Sequence, residues 1–267
     1  MKKIGFIGTG NMAKAIIQSM IKNGFDPCNI PVFDIDNQKY KLINENLDFQ
    51  NDISCVVSKS DIIFLAVKPQ NYKEVLSSIK HCVSSDKTFV SIAAGITTNY
   101  IVNALDNIPK AIRVMPNTPL LLNKGAVAIA QNLDVSNEIF DIVKQIFELS
   151  SLVEIISEDK MDEIISVNGS SPAYVYLFVK AIVDYAQSVG LDYDVSLNLI
   201  CQTLIGSAEM IKHSGYDLDD LIKMVSSPGG TTLAALDTLN QLDFYGSIKQ
   251  AMQSCTNRAK ELSKGLQ

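Results

Sequence analysis

Two glycine-containing segments of this chain combine residue types that bind anionic groups. In the first, "GFIGTGNMA", Gly8, Gly10 and Ala13 have the spacing G-x-G-x-x-A, between a buried apolar run and a helical pattern. There Gly8 permits a tight turn, Gly10 lets the backbone approach a pyrophosphate, and Ala13 lets the helix pack closely on a sheet. Free N–H groups at the helix start then face the phosphates. The spacing predicts a dinucleotide site, with a plain strand-to-helix turn as the alternative.

The second segment, "SSPGGTT" at residues 226–232, precedes another helical pattern. Gly229 and Gly230 let the backbone approach a ligand, because neither carries a Cβ atom. A helix start also offers unpaired N–H groups and the positive end of the helix dipole. This elbow therefore fits a small carboxylate. A plain helix cap made by Thr231 or Thr232 has the same pattern, so the residues alone leave both interpretations open.

Charged residues follow the predicted strands of the first half. Asp34 stands where an acid binds adenosine ribose hydroxyls, and Asp36 follows two residues later without an arginine nearby. A 2′-phosphate would meet two negative charges there, with Lys39 and Lys41 as the only compensation, which favours NADH over NADPH. Asp34 as a solvated acid at a strand end is the alternative. Lys68, in "LAVKPQ", faces either the cofactor or solvent.

The first half alternates strands with helices. The strand candidates are "KKIGFIG", "NIPVFD", "DIIFLAV", "TFVSIAA", "AIRVMP" and "AVAIAQ", and the helix candidates cover residues 11–23, 37–46, 69–82 and 97–105. Continuous apolar runs such as "DIIFLAV" are typical of parallel strands that are covered on both faces. The alternation predicts an α/β fold with a doubly wound parallel sheet.

After residue 157 the strand runs stop and helical windows follow, at 159–188, 193–213, 217–225 and 231–264. We therefore expect a dinucleotide-binding Rossmann-like domain over 1–157 and an all-α domain over 158–267. Apolar residues occupy several faces of these helices, and a dimer interface is one way to bury them.

The totals exclude several classes of protein. The 267 residues carry a net charge of -6, which disfavours nucleic acid and anionic membranes as partners. Five scattered cysteines without a CxxC predict neither a disulfide framework nor a zinc site, and no other metal site is expected. Glycines interrupt the first apolar stretch, so we expect no signal peptide. No window has the apolar length of a membrane-spanning helix, and we expect a cytoplasmic protein.

Five segments together resemble one known family. "GFIGTGNMA", "LAVKPQ", "RVMPNTP", "GSSPAYVYLF" and "SSPGGTT" occur in the order and at the spacings of the pyrroline-5-carboxylate reductases. The resemblance runs nearly end to end, and the last two segments are its most specific part. It implies hydride transfer from NADH or NADPH to 1-pyrroline-5-carboxylate, giving L-proline in the last step of proline biosynthesis. It also implies a homodimer formed by the helical domain, often assembled as a decamer of five dimers.

The resemblance also implies site residues. Thr232 would be the catalytic hydroxyl, which hydrogen-bonds the ring nitrogen or the carboxylate. The other expected substrate contacts are Ser227, Gly229, Gly230, Thr231, Ser171 and Glu158. The expected cofactor contacts are Ile7, Gly8, Gly10, Asn11, Met12, Asp34, Asn51, Ala66, Val67, Lys68, Pro69, Ala93, Ala94, Gly95, Met115, Pro116 and Asn117.

The chain departs from the family at two points. Ser171 stands where the family usually has a glycine, and Asp34-Ile35-Asp36 lacks the Asn-Arg or Ser-Arg pair suited to NADPH.

The chemistry that the resemblance implies needs no acid, because hydride addition to an iminium neutralises a cation and leaves an amine. His81 and His213, the only two histidines, are accordingly expected on the surface.

Three other classes of protein fit the sequence less well. A β-hydroxyacid dehydrogenase uses a lysine in its long helix as the acid, and the helical stretch directly after "GSSPAY" offers only Lys180. That class of enzyme also has no counterpart to "SSPGGTT". A non-catalytic NAD sensor would keep the first glycine segment but has no reason to keep the second. A purely helical scaffold is incompatible with the strand-rich first half.

Overall fold

The computed structural model describes residues 2–130 and 134–264. Met1, Gln131 at the end of a predicted strand, and residues 265–267 at the end of the predicted second domain lie outside these ranges. The chain divides into two compact units, the second of which is Ala173–Gln253, and the first comprises the residues before and after it. Residue 157 directly follows the last described strand, and the division at that residue stays a prediction.

Within the described residues of the first unit, eight strands form one sheet in the order β3-β2-β1-β4-β5-β6-β7-β8. They are β1 Ile4–Ile7, β2 Pro31–Phe33, β3 Asp48–Phe49, β4 Ile62–Leu65, β5 Thr88–Ser91, β6 Lys110–Met115, β7 Gly125–Ala130 and β8 Ser151–Ile156. The helices are α1 Asn11–Lys22, α2 Ile53–Lys59, α3 Tyr72–Ile79, α4 Thr98–Ala104, α5 Asn137–Glu148 and α6 Met161–Ile164.

The first six strands confirm the predicted Rossmann-like fold. They run parallel, in the order 3-2-1-4-5-6 of dinucleotide-binding sheets. Both faces are covered, which explains the continuous apolar runs. On one face Phe6 stacks on Phe64 with ring centroids 4.7 Å apart, above α1 and α5. On the other, Leu65 and Phe89 pack with helices α2, α3 and α4.

The strand β7 departs from the predicted parallel sheet, because it runs antiparallel to β6. A parallel crossover needs a dozen or more residues, and residues 116–124 between the two strands are too few. They instead form a short reversal with a 3-10 helix at Thr118–Leu122. The longer connection through α5 returns β8 parallel to β7.

The helix predicted over 37–46 is wrong. Only a 3-10 helix at Lys39–Leu42 forms there. The Asp36 side chain accepts a hydrogen bond from the backbone of Gln38, and that of Asn44 accepts one from Asn46. These local bonds compete with helical ones. The sequence patterns also missed β3, α2, α5 and β8.

The remaining helices are α7 Ser171–Ser188, α8 Tyr193–His213, α9 Leu218–Met224, α10 Thr231–Gln241 and α11 Phe244–Lys264. The continuous helix predicted over 159–188 is wrong, because a π-helix at Ile165–Gly169 lies between α6 and α7. The helix predicted over 231–264 is divided where Asp243 adopts a left-handed conformation, with φ 50°.

The second unit has little core of its own. Only Val183, Ala186 and Ser196 are buried in it, while Tyr176 and Leu177 are among many large apolar side chains left exposed. Among the described residues, no helix has the length and apolar character needed to cross a membrane.

Candidate functional site

The parallel strands β1–β6 end at one edge of the sheet, and the predicted cofactor residues follow those ends. This is the edge at which ligands bind in open α/β sheets. The residues there are Ile7, Gly8, Gly10, Asn11 and Met12 at β1, Asp34 after β2, Asn51 after β3, Ala66, Val67, Lys68 and Pro69 after β4, Ala93, Ala94 and Gly95 after β5, and Met115, Pro116 and Asn117 at β6.

The two glycines of the first segment differ in what surrounds them. Gly8 has φ 96°, and its N–H donates to the Phe33 carbonyl over 2.7 Å. A Cβ there would lie 2.7 Å from the carbonyl oxygen of Ala66. Gly10 is the N-cap of helix α1 and offers no side-chain cap, and a Cβ there would meet nothing within 4 Å. The first glycine is needed by the fold, whereas the second leaves space beside a helix start.

Asp34 is held by the glycine loop itself. Its Oδ2 accepts bonds from the Thr9 N–H and hydroxyl at 2.7 and 2.9 Å, and its Oδ1 accepts the Asp36 N–H at 2.9 Å. Burial raises the pKa of Asp34, but these bonds and the charge of Lys39, 3.7 Å away, bring the pKa below its usual value. Asp34 is therefore ionised at neutral pH, and it fixes the loop as well as lining the edge.

The other predicted residues along this edge have varied surroundings. Lys68 and Asn51 are exposed. Gly95 has φ 75° and packs against the end of α11, where a Cβ would lie 2.9 Å from the Leu262 Cβ. Its lack of a side chain is thus explained by a contact within the protein.

The turn after β6 is held by two asparagines. The Asn117 amide donates to the Asn168 carbonyl over 3.2 Å, and its oxygen accepts the Ala126 N–H at 2.9 Å. The Asn168 amide donates to the carbonyls of Met115 and Ala126 at 2.8 and 3.1 Å. The π-helix places Asn168 there, beside Gly169, at which a Cβ would meet the Met115 side chain at 2.5 Å. The Asn117 side chain thus orders the turn.

Arg113 and Glu158 both make long-range contacts. Arg113 is only 3% exposed and pairs with Asp162, which also accepts from the Ser263 hydroxyl. Glu158, a predicted substrate contact, binds both the N–H and the hydroxyl of Thr98 at the start of α4, the former at 2.7 Å. Both Glu158 oxygens are thus engaged by Thr98, the first residue of α4, beside the N-cap Thr97.

The second glycine segment forms a tight turn before α10. The Gly230 N–H donates to the Ser227 carbonyl over 3.0 Å, and Gly229 has φ 71°. Proline followed by a glycine of positive φ is typical of a type II turn. Gly230 precedes α10 without a side-chain cap, so neither Thr231 nor Thr232 caps the helix. The elbow therefore presents unpaired N–H groups and two hydroxyls that make no hydrogen bond within the described chain.

The structure thus groups the predicted residues into two sets, each described within its own unit. Gly8, Asp34 and Ala66 meet at the sheet edge, and the elbow residues 227–232 form one turn. Ser171 is half-buried at the start of α7. His81 and His213 are exposed, as predicted.

Sequence reasoning missed several side chains that hold the site. Thr9 lies between the two glycines and Asn168 precedes "GSSPAY", so the sequence motifs could have pointed to both residues. Their hydrogen-bond partners are distant in sequence and could not be predicted from the motifs. Asp162 carried no signal in the local pattern.

Known proteins resemble this chain over nearly its full length. A family model described as pyrroline-5-carboxylate reductase dimerisation matches residues 158–262. A second, described as NADP oxidoreductase coenzyme F420-dependent, matches residues 3–95. The pyrroline-5-carboxylate reductase of Escherichia coli (strain K12) is 38% identical over 98% of this chain and 99% of its own. That of Methanosarcina acetivorans is 34% identical over 98% of each chain.

Solved structures agree with these matches. The Plasmodium falciparum pyrroline carboxylate reductase with NADP bound has a TM-score of 0.91 and 29% identity, over 98% of both chains. A pyrroline-5-carboxylate reductase from Coxiella burnetii has a TM-score of 0.87 and 33% identity, also over 98% of both chains. This chain, with both its glycine segments and its helical region, belongs to the pyrroline-5-carboxylate reductase family.

Proposed function

We propose that this protein is a pyrroline-5-carboxylate reductase, which reduces 1-pyrroline-5-carboxylate to L-proline with NADH or NADPH in the last step of proline biosynthesis. The observation that carries the proposal is the end-to-end match to reductases of that name, which spans both glycine segments. The elbow in the second segment argues against a dinucleotide sensor or a β-hydroxyacid dehydrogenase, since neither requires it.

The sheet edge fits a dinucleotide. The open space at Gly10 and the free N–H groups of Asn11 and Met12 suit a pyrophosphate. When bound, the nicotinamide supplies a hydride from its C4 atom. We assign the cofactor contacts at the other strand ends to the residues predicted there, with Lys68 reaching the ribose or a phosphate.

The elbow fits the substrate carboxylate. Its glycines allow a close approach, and the first N–H groups of α10 are unpaired within the helix. We assign substrate contacts to Ser227, Gly229, Gly230 and Thr231, and a hydrogen bond to the ring nitrogen or carboxylate to Thr232. Ser171 is proposed as a further substrate contact, and Glu158 as one that also binds Thr98 at the start of α4.

The reaction demands positioning more than acid catalysis. The iminium carbon gains the hydride, the C=N π electrons become the nitrogen lone pair, and the positive charge disappears. No proton must be delivered to a developing alkoxide, so no acidic side chain is required. Holding the ring by its carboxylate beside the hydride donor is the main contribution of the protein.

The direct test is oxidation of NADH and of NADPH by purified protein with 1-pyrroline-5-carboxylate, followed by absorbance. Oxidation with either cofactor and formation of proline are expected. If the cofactor is not oxidised with this substrate, the same assay is run with β-hydroxyacids and their keto acids. A change in the cofactor's redox state with those compounds would identify the protein as a β-hydroxyacid dehydrogenase instead. Inactivity with all of them, combined with dinucleotide binding, would favour the sensor.

Thr232→Ala is expected to reduce transition-state stabilisation by about 1–3 kcal/mol, the cost of one buried hydrogen bond left unmade. The measurement is kcat/KM for the imine at saturating cofactor. Thr238→Ala, on the same helix, is the matched control, since its hydroxyl donates to the Ala234 carbonyl within α10. Equal kcat/KM in Thr232→Ala and wild type would remove Thr232 from the site.

We further propose that Asp34 and Asp36 favour NADH. Asp34→Ser is expected to raise the ratio of NADPH to NADH efficiency by about tenfold, which corresponds to ~1.4 kcal/mol less repulsion of a 2′-phosphate. The ratio is measured from kcat/KM with each cofactor. Thr9→Val keeps the acid but loses its hydroxyl contact, so it controls for loosening of the loop. An unchanged ratio in Asp34→Ser would contradict the contact with ribose.

We propose a homodimer, formed through the helical region, and its assembly into a decamer of five dimers. The exposed apolar side chains of the second unit, such as Leu177, Leu199 and Tyr245, support an interface between copies. We place the protein in the cytoplasm, a compartment suited to five cysteines that form no disulfide.

A further inference from the structure

A buried tyrosine lies beneath the proposed dinucleotide site, and the reaction does not use it. Tyr72, in the first turn of α3, is fully buried in the core between the sheet and helices α2 to α4. Burial raises its pKa, so the hydroxyl stays protonated and acts only as a hydrogen-bonding group. A phenylalanine would fill nearly the same space without a polar atom, so the hydroxyl itself needs an explanation.

That hydroxyl joins two adjacent strands. It donates to the Leu65 carbonyl at the end of β4 over 2.8 Å and lies 2.9 Å from the hydroxyl of Ser91, which ends β5 and is also fully buried. Because the tyrosine proton is directed to Leu65, Ser91 must donate to Tyr72. The Ser91 oxygen then accepts the Ala93 N–H at 3.4 Å. Every donor in this chain of bonds has an acceptor.

The two ends of this chain lie at two different loops. The Leu65 carbonyl directly precedes Ala66–Pro69, and the Ala93 N–H begins Ala93–Gly95, so both loops belong to the proposed cofactor site. The paired part of β4 and β5 ends at Leu65 and Ser91, and no short stretch of chain would link the loops beyond that pair. In the described structure the relay Ala93–Ser91–Tyr72–Leu65 makes that link, from underneath the site.

We propose that Tyr72 is a positioning residue for the dinucleotide, which acts by fixing the loops after β4 and β5 relative to one another. The inference rests on the proposed function only in so far as it requires a dinucleotide at this edge. Preorganised loops bind without first being ordered, so loss of the relay should weaken cofactor binding. It should leave the turnover rate at saturating cofactor nearly unchanged, because Tyr72 touches no reacting atom.

The test is Tyr72→Phe, with NADH binding measured by nucleotide fluorescence without substrate, and with KM and kcat measured in the reductase assay. We expect about a tenfold rise in Kd and in KM for NADH, equivalent to ~1.4 kcal/mol, with kcat within about twofold of wild type. A role in stability alone would lower Tm and leave Kd and KM unchanged, and that result would overturn the proposal.

Two further variants complete the test. Ser91→Ala breaks the same relay. The variant with both Tyr72→Phe and Ser91→Ala should therefore bind NADH no more weakly than the single variant that binds it less tightly. Additive losses of binding free energy would overturn the relay. Tyr40→Phe, a half-buried tyrosine stacked on Phe49, is the matched control. If Tyr72→Phe does not fold, Ser91→Ala decides by the same Kd.

The binding measurement separates the two proposals. Wild-type protein that binds NADH but does not reduce the imine would sink the reductase assignment and leave the relay to be judged by Kd. Wild-type protein that reduces the imine, with variants of unchanged Kd, would sink the relay alone. Protein that binds no dinucleotide would overturn both.

Discussion

Gly8→Ala is expected to destabilise the protein by about 2–5 kcal/mol and to abolish dinucleotide binding. A left-handed conformation costs a residue with a Cβ about 1–2 kcal/mol. Overpacking adds about 1–3 kcal/mol, because the new Cβ would lie 2.7 Å from the Ala66 carbonyl oxygen, which is backbone. Urea denaturation measures the loss of stability, and fluorescence titration with NADH measures the loss of dinucleotide binding.

Gly10→Ala is the matched control, and it should separate the two effects. Its φ of -69° suits any residue, and a Cβ there has no neighbour within 4 Å, so the unfolding free energy should change by less than about 1 kcal/mol. Dinucleotide binding should nevertheless fall strongly, since the pyrophosphate approaches this backbone. Wild-type NADH affinity in Gly10→Ala would show that the space beside α1 holds no phosphate.

The second large effect is expected at Asp162. Asp162→Ala should lower the free energy of unfolding by about 3–5 kcal/mol, because it leaves the Arg113 guanidinium buried and without its carboxylate. Arg113 is 3% exposed, on the interior strand β6 of the sheet. The variant also removes a contact of the Ser263 hydroxyl, near the end of α11, but that hydroxyl keeps the Ala259 carbonyl as its acceptor. Denaturant unfolding measures the loss.

Asp184→Ala provides the comparison on an exposed pair. Asp184 contacts Lys180 one helical turn away, and both side chains are more than half exposed. Such pairs contribute at most about 0.5 kcal/mol. Similar small losses in Asp162→Ala and Asp184→Ala would mean that Arg113 is not stabilised by its carboxylate.

The local parts of this site were predictable because local geometry needs only neighbouring residues. The run from β1 through Gly8 and Gly10 into α1 has the predicted arrangement, since an apolar strand, a glycine turn and a helical period are all read within a dozen residues. The same holds for Ser227–Gly230, where proline and a glycine of positive φ specify the turn.

Other local patterns misled. Apolar spacing predicted a helix over 37–46, but side chains of Asp36 and Asn44 bond the nearby backbone instead. The helical period of 159–188 continues through a π-helix without a break in the sequence pattern. That π-helix contains Asn168, whose hydrogen-bond partners Met115 and Ala126 are distant in sequence.

By itself, the sequence determined the Rossmann-like fold class, the two glycine turns and the family, because each depends on residues close together or on motifs in a known order. Only the tertiary structure decided what the polar side chains do. Asp34 holds Thr9 across 25 residues, and Glu158 binds Thr98 at the start of α4 across 60. A side chain with two acceptor oxygens binds whichever donors the folded chain brings near, and that choice is made by packing rather than by spacing.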